Sequence, residues 1–116
     1  MDKNKIEKIE NKLDRLDIHK GKIHEEFVKQ KHNENEMFHL FQDKEQFFNN
    51  LFQQWKQGEM RFHIDQVYAD IKSAEKSIIH EFNVQKEQLR KERYELDMKE
   101  DELRTELMRL AENGSE

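Results

Sequence analysis

Proline and cysteine are absent from the 116 residues, and glycine occurs only 3 times. Proline breaks helix interiors and glycine weakens them, so their scarcity favours long helices. Without cysteine there are no disulfides, no thiolate metal sites and no cysteine nucleophile. No apolar run approaches the ~20 residues that a transmembrane helix needs. The charged start, Met1 to Asn11, lacks the apolar stretch of a secretory signal peptide. Apolar residues are themselves scarce, 34% against 41% charged. A compact globule needs a larger apolar share. Such a chain folds only if its apolar residues fall in one stripe; scattered, they would leave it disordered. The net charge of −5 argues against a dedicated nucleic-acid binder. Residues 1–57 carry 11 basic and 11 acidic side chains, residues 58–116 carry 10 and 15. That acidic excess reads as a solvated face.

What is present is periodic. Ile6, Ile9, Leu13 and Leu16 are spaced 3, 4, 3, which is a heptad seam. The same step continues through Lys20, Ile23, Phe27, Gln30, Glu34, Met37, Phe41, Lys44, Phe48, Leu51 and Trp55. The seam is weakest from Gln30 to Glu34, and helix propensity is low there and at Gly21. A bend or break is expected near Gly21 or His32; an unbroken helix would span ~75 Å. Gly58, in Gln53-Gln54-Trp55-Lys56-Gln57-Gly58-Glu59, is a natural helix end because glycine reaches the left-handed conformation cheaply. A second run starts at Phe62, Ile64, Val67 and Ile71. Ile64, Ile71 and Ile78 are spaced by seven, as are Phe82, Leu89, Leu96, Leu103 and Leu110, and four residues separate Ile78 from Phe82. A four-residue insertion is a stutter, which locally unwinds a supercoil. The tail, Glu112 to Glu116, should fray.

These runs predict an all-α protein: an elongated, coiled-coil-like antiparallel helical hairpin. One domain is expected over 1–116, with helix 1 at about 2–56, the turn near 56–61 and helix 2 at about 60–111.

The approach to the turn is more apolar than a two-helix seam requires. With Phe41 at zero and ~100° per residue, Phe48, Phe52 and Trp55 fall at about −20°, +20° and −40°. Phe38 falls at about +60°, Leu51 at about −80°, and Leu40 and Phe47 at about −100° to −120°. An arc of about 180° suits a packed bundle, not a narrow seam. Either Phe62, Val67 and Tyr68 across the turn thicken an internal core, or a second face meets another chain. Burying a Phe or Leu is worth ~1.5–3 kcal/mol, which favours the second arrangement. The expected partner-binding face is Phe38, Phe41, Phe47, Phe48, Leu51, Phe52 and Trp55, with Phe62 and Tyr68 across the turn; Trp55 and Gly58 mark the turn itself.

Catalytic and metal chemistry find little support. No two of the six histidines have i, i+4 spacing. Glu36-Met37-Phe38-His39 matches half of a di-iron bundle motif, without its second half. No phosphate loop or nucleophile elbow occurs. No cofactor and no metal is expected, and the chain is expected not to be an enzyme. Asn113-Gly114-Ser115 is a weak glycosylation sequon. Mixed charge such as Arg90-Lys91-Glu92-Arg93, flanking the leucine row, is the exterior of a coiled coil.

A hairpin of this size with Trp and Gly at its turn resembles the WXG-type small proteins of type VII secretion. The matching element is Trp55-Lys56-Gln57-Gly58, with one extra residue between Trp and Gly. More narrowly, the chain resembles the small helical targeting proteins encoded beside LXG-type toxins. That likeness rests on Phe47-Phe48-Asn49-Asn50-Leu51-Phe52-Gln53-Gln54-Trp55, on Val67-Tyr68-Ala69-Asp70-Ile71, and on Gln85 to Arg93. The resemblance implies a bacterial cytoplasmic adaptor that binds the helical N-terminal region of the toxin, in that family often with a second small helical protein, and is exported with its cargo or stays behind. The WXG-type export signal is an aromatic followed four residues later by an acid, late in helix 2. Tyr94 is followed there by Met98 and Phe82 by Lys86, whereas Phe41 to Glu45 fits but lies in helix 1. This implies that another subunit supplies the signal. The alternative is a self-assembling coiled-coil scaffold, a homodimer or larger, held by the same Phe-rich face. Neither reading expects nucleic acid or membrane insertion.

Overall fold

The computed structural model describes residues 2–114 and contains two helices, α1 (Asp2–Gln54) and α2 (Glu59–Gly114). They run antiparallel, as a helical hairpin. Of the expected frayed tail, Glu112 to Gly114 are helical, while Ser115 and Glu116, and with them part of the sequon, lie outside the described residues. No described helix is long and apolar enough to cross a membrane.

The heptad row accounts for α1. Every row position from Ile6 to Leu51 is buried or half-buried. Of the other residues from 3 to 54, only Glu45 and Phe52 share that burial. The expected break at Gly21 or His32 does not occur. Gly21 has open space around it, and one glycine costs a helix only ~1 kcal/mol. The polar seam positions find partners across the pair. Gln30, itself buried, donates from Nε2 to the Phe82 carbonyl at 2.9 Å. Lys86 Nζ lies 2.8 and 2.7 Å from the two Glu34 oxygens. A buried polar group with a partner does not break a helix.

The inward row of α2 takes two successive four-residue steps, Ile71 to Glu75 to Ile79. This is the stutter, but Ile79 and not Ile78 takes the inward position, and Ile78 is exposed. The four-step to Ile79 turns the helix ~100° further than a three-step closing on Ile78 would have done.

The chain forms two compact units, Met1–Val28 with Glu87–Glu116, and Lys29–Lys86. The first is aliphatic: Ile9, Leu13 and Leu110 form its core, flanked by Ile6, Leu16, Leu103 and Leu107. Lys20 bridges Asp97 at 2.6 Å and Glu100 at 3.0 Å. Those hydrogen bonds raise the Lys20 pKa and lower those of Asp97 and Glu100. The second unit buries Met37, Phe48 and Ile64 and contains the turn.

The connection is residues 55–58, slightly earlier than expected. Trp55 N still donates to Leu51 O at 2.8 Å, and Gly58 O already accepts Phe62 N at 3.1 Å. Gly58 therefore caps the start of α2 as well as reversing the chain. Its φ of 92° is a conformation open to glycine and strained for other residues.

Candidate partner-binding face

Between Met37 and Trp55 the seam becomes aromatic. Phe48 packs edge-on against Tyr68 with ring centroids 5.1 Å apart, and Phe52 meets the same ring at 5.4 Å. Arg61, the first cation of α2, stacks 4.4 Å from the centre of Phe52. Its Nη1 donates to the Phe52 and Trp55 carbonyls, both at 3.2 Å. The first carbonyl lies in the last turn of α1, which has no basic residue of its own, and the second directly follows that helix. Arg61 thus satisfies orphan acceptors at the negative end of the helix.

The two flanks of this seam differ. In heptad letters Phe41 and Phe48 are a, Lys44 and Leu51 are d, Glu45 and Phe52 are e, and Leu40 and Phe47 are g. In α2, Arg61, Tyr68 and Glu75 are a. This puts Lys72 at e and Met60 and Val67 at g. In an antiparallel pair e meets e along one flank and g meets g along the other. Contacts identify the first: Lys72 Nζ lies 3.1 Å from Glu45 Oε1. Tyr68 donates its hydroxyl proton to Glu45 at 2.8 Å, and Lys44 pairs with Glu45 at 2.9 Å and with buried Glu75. The hydrogen bonds from Lys44, Tyr68 and Lys72 hold the Glu45 carboxyl down at about 2. Burial works to lower the Lys44 pKa, but its bonds to Glu75 and Glu45 outweigh that and leave it raised.

Among the described residues the other flank shows no such network. Leu40 is 68% exposed and Phe47 59% exposed. Met60, Val67 and Ile78 from α2 are also exposed, and Leu51 lies half-buried at the lip. Ile78 belongs here because the stutter moves it to a g position. The result is an apolar strip with contributions from both helices.

Of the residues expected to bind a partner, Phe47 and Leu51 lie on this strip, and exposed Trp55 ends the seam beside it. Phe48 is 4% exposed and belongs to the core. Phe41, Phe52 and Tyr68 are half-buried in the seam or on the ion-paired flank. Phe38 is exposed on that same flank, edge-on to Phe41 at 6.3 Å. Phe62 is exposed but lies ~160° round α2 from the inward Ile64, on its outer side. The structure therefore does not bring all of these residues to one face. It adds Leu40, Met60, Val67 and Ile78, whose signal is apolar residues recurring one place before the seam at 40, 47, 60 and 67. No group of three or more His, Cys, Asp or Glu side chains suited to a metal occurs among the described residues.

Fold and site together define an all-helical hairpin with one ion-paired and one apolar flank beside its turn. Residues 4–110 match the family described as "Protein of unknown function (DUF3958)", and the chain belongs to that family. No curated protein and no solved structure matches it.

Proposed function

We propose that this protein is a non-catalytic adaptor that binds a helical segment of another protein along its apolar flank. The observation that carries the reading is the strip of Leu40, Phe47, Met60, Val67 and Ile78, open to solvent beside a seam already closed by Phe48 and Ile64. A contiguous apolar strip at helical spacing is the complement of an amphipathic helix, which would complete a bundle by helix-in-groove packing. The likeness to targeting proteins encoded beside LXG-type toxins supplies the partner class: the helical N-terminal region of such a toxin, bound for presentation to a type VII secretion machine.

The test is the solution mass by light scattering, alone and after co-expression with the helical region of an LXG-type toxin from the same genome. A monomer or small dimer that converts to a defined hetero-complex supports the adaptor. A stable homo-oligomer that ignores the toxin region removes the toxin connection and favours a self-assembling scaffold.

A further inference from the structure

The apolar strip has a charged border of one sign. Next to each g row, on the solvent side, run the c positions of the same helix. In α1 these are Glu36, Asp43 and Asn50, and in α2 His63, Asp70, Ser77 and Glu81. All are exposed. The border of the strip therefore carries Glu36, Asp43, Asp70 and Glu81 and no lysine or arginine over this span. The four cations of the same stretch of α2 lie off the border: Lys72 on Glu45, Arg61 on Asp65 and the end of α1, Lys86 on Glu34, and exposed Lys76 one place after the inward Glu75, ~100° round the helix toward the ion-paired flank. Lys44, at the seam position beside the strip, is turned inward against Glu75.

From this we infer that the occupant of the strip is an amphipathic helix whose apolar stripe is flanked by lysine or arginine, and not a second copy of this chain. The inference rests on the apolar flank being the partner surface. Two considerations carry it. A helix laid along the strip places its own flanking positions over the two c rows, where basic side chains meet carboxylates and acidic ones are repelled. A symmetric pairing of two copies through the strip would set acidic border against acidic border, since a two-fold interface brings the same patch to itself. The border thus selects against self-association while leaving the apolar strip free to bind.

Two synthetic four-heptad helical peptides provide the test. They share one leucine and phenylalanine stripe and differ only in flanking lysine or flanking glutamate, and each is titrated into the full-length protein by calorimetry. The lysine-flanked peptide should bind about tenfold or more tighter, a margin expected from several exposed ion pairs acting together. The margin should shrink in high salt. The double variant Asp43→Lys/Asp70→Lys should reverse the order. Phe47→Ser should abolish binding of both peptides. Asp43→Asn/Asp70→Asn, which adds no charge, should bring the two peptides close together. Circular dichroism checks that each variant keeps its helices. Equal affinities, or a preference for lysine that survives both double variants, would overturn the inference, as would a homodimer that Phe47→Ser dissolves. If the lysine-flanked peptide binds and the toxin region does not, the toxin reading fails and this one stands. If the toxin region binds with no change on reversing Asp43 and Asp70, this one fails alone.

Discussion

The aliphatic unit and the aromatic unit solve the same problem, holding α1 against α2, with different amounts of apolar surface. In the first, Ile9, Leu13 and Leu110 form a narrow core. Its exposed apolar residues, Ile18, Val28, Tyr94, Met98 and Met108, sit away from the seam at outer positions, as scattered surface apolars commonly do. In the second, Phe48 and Ile64 close the seam, and a further apolar strip lies immediately beside it. The first unit teaches that a narrow stripe is enough to pair these helices. The extra width in the second is then more than the pairing of the helices requires, and it is the surface proposed above for recognition.

The sharpest way to break this comparison is to empty the cores. Phe48→Ala should cost about 3–5 kcal/mol and Leu13→Ala about 2–5 kcal/mol, read from urea unfolding followed by circular dichroism. If Phe48→Ala costs little, the aromatic seam is not what holds the second unit. Next comes the polar layer. Glu75→Ala leaves Lys44 half-partnered in a buried place and should cost about 1–3 kcal/mol. The double change Lys44→Met/Glu75→Leu should be near neutral or stabilising, because a well-packed apolar pair avoids the desolvation of two charges.

Arg61→Ala should cost about 1–2 kcal/mol by orphaning the Phe52 and Trp55 carbonyls; Arg61→Lys, without the planar fork, should recover only part of it.

Acid provides a graded version of the same test. The Glu45 carboxyl is held at about 2 against an ordinary 4.5. A depressed folded-state value means its contribution is fully present above 4.5 and is lost as pH falls through that window toward 2. Unfolding midpoints should therefore drop on acidification, and Glu45→Gln should flatten its share of the drop. The smallest expected effect on stability falls on the residue at the centre of the proposed partner surface. Phe47→Ser should change unfolding by no more than about 0.5 kcal/mol, although it replaces a phenylalanine.

Much of the fold was readable because burial in a two-helix pair follows one repeat. The row through Ile6, Leu13, Gln30, Lys44 and Leu51 predicts the buried side of α1 even where its residues are polar, and Gly58 marks the reversal. The expected weakness near Gly21 and His32 did not break the helix. Its remedy lies on the other helix, in the Phe82 carbonyl and Lys86, where a local propensity scale cannot see it. Ile79 was missed for Ile78 because the stutter begins one step earlier than the spacing of isoleucines suggests. The candidate face was legible as a wide aromatic arc but not as a surface. Which edge of α1 is sealed depends on Lys72 and Tyr68 reaching Glu45, a contact across the pair. Phe38 and Phe47, both exposed, fall on opposite edges of the arc in the sequence, and that contact decides which of the two edges is sealed.

The most direct test of the central claim is a calorimetric titration of the helical region of an LXG-type toxin into the wild-type protein and into Phe47→Asp, with circular dichroism run on both. The account predicts a defined complex for the wild type, loss of that complex for Phe47→Asp, and unchanged helicity and unfolding midpoint. A Phe47→Asp protein that still binds, or one that fails to bind because it has unfolded, would contradict it.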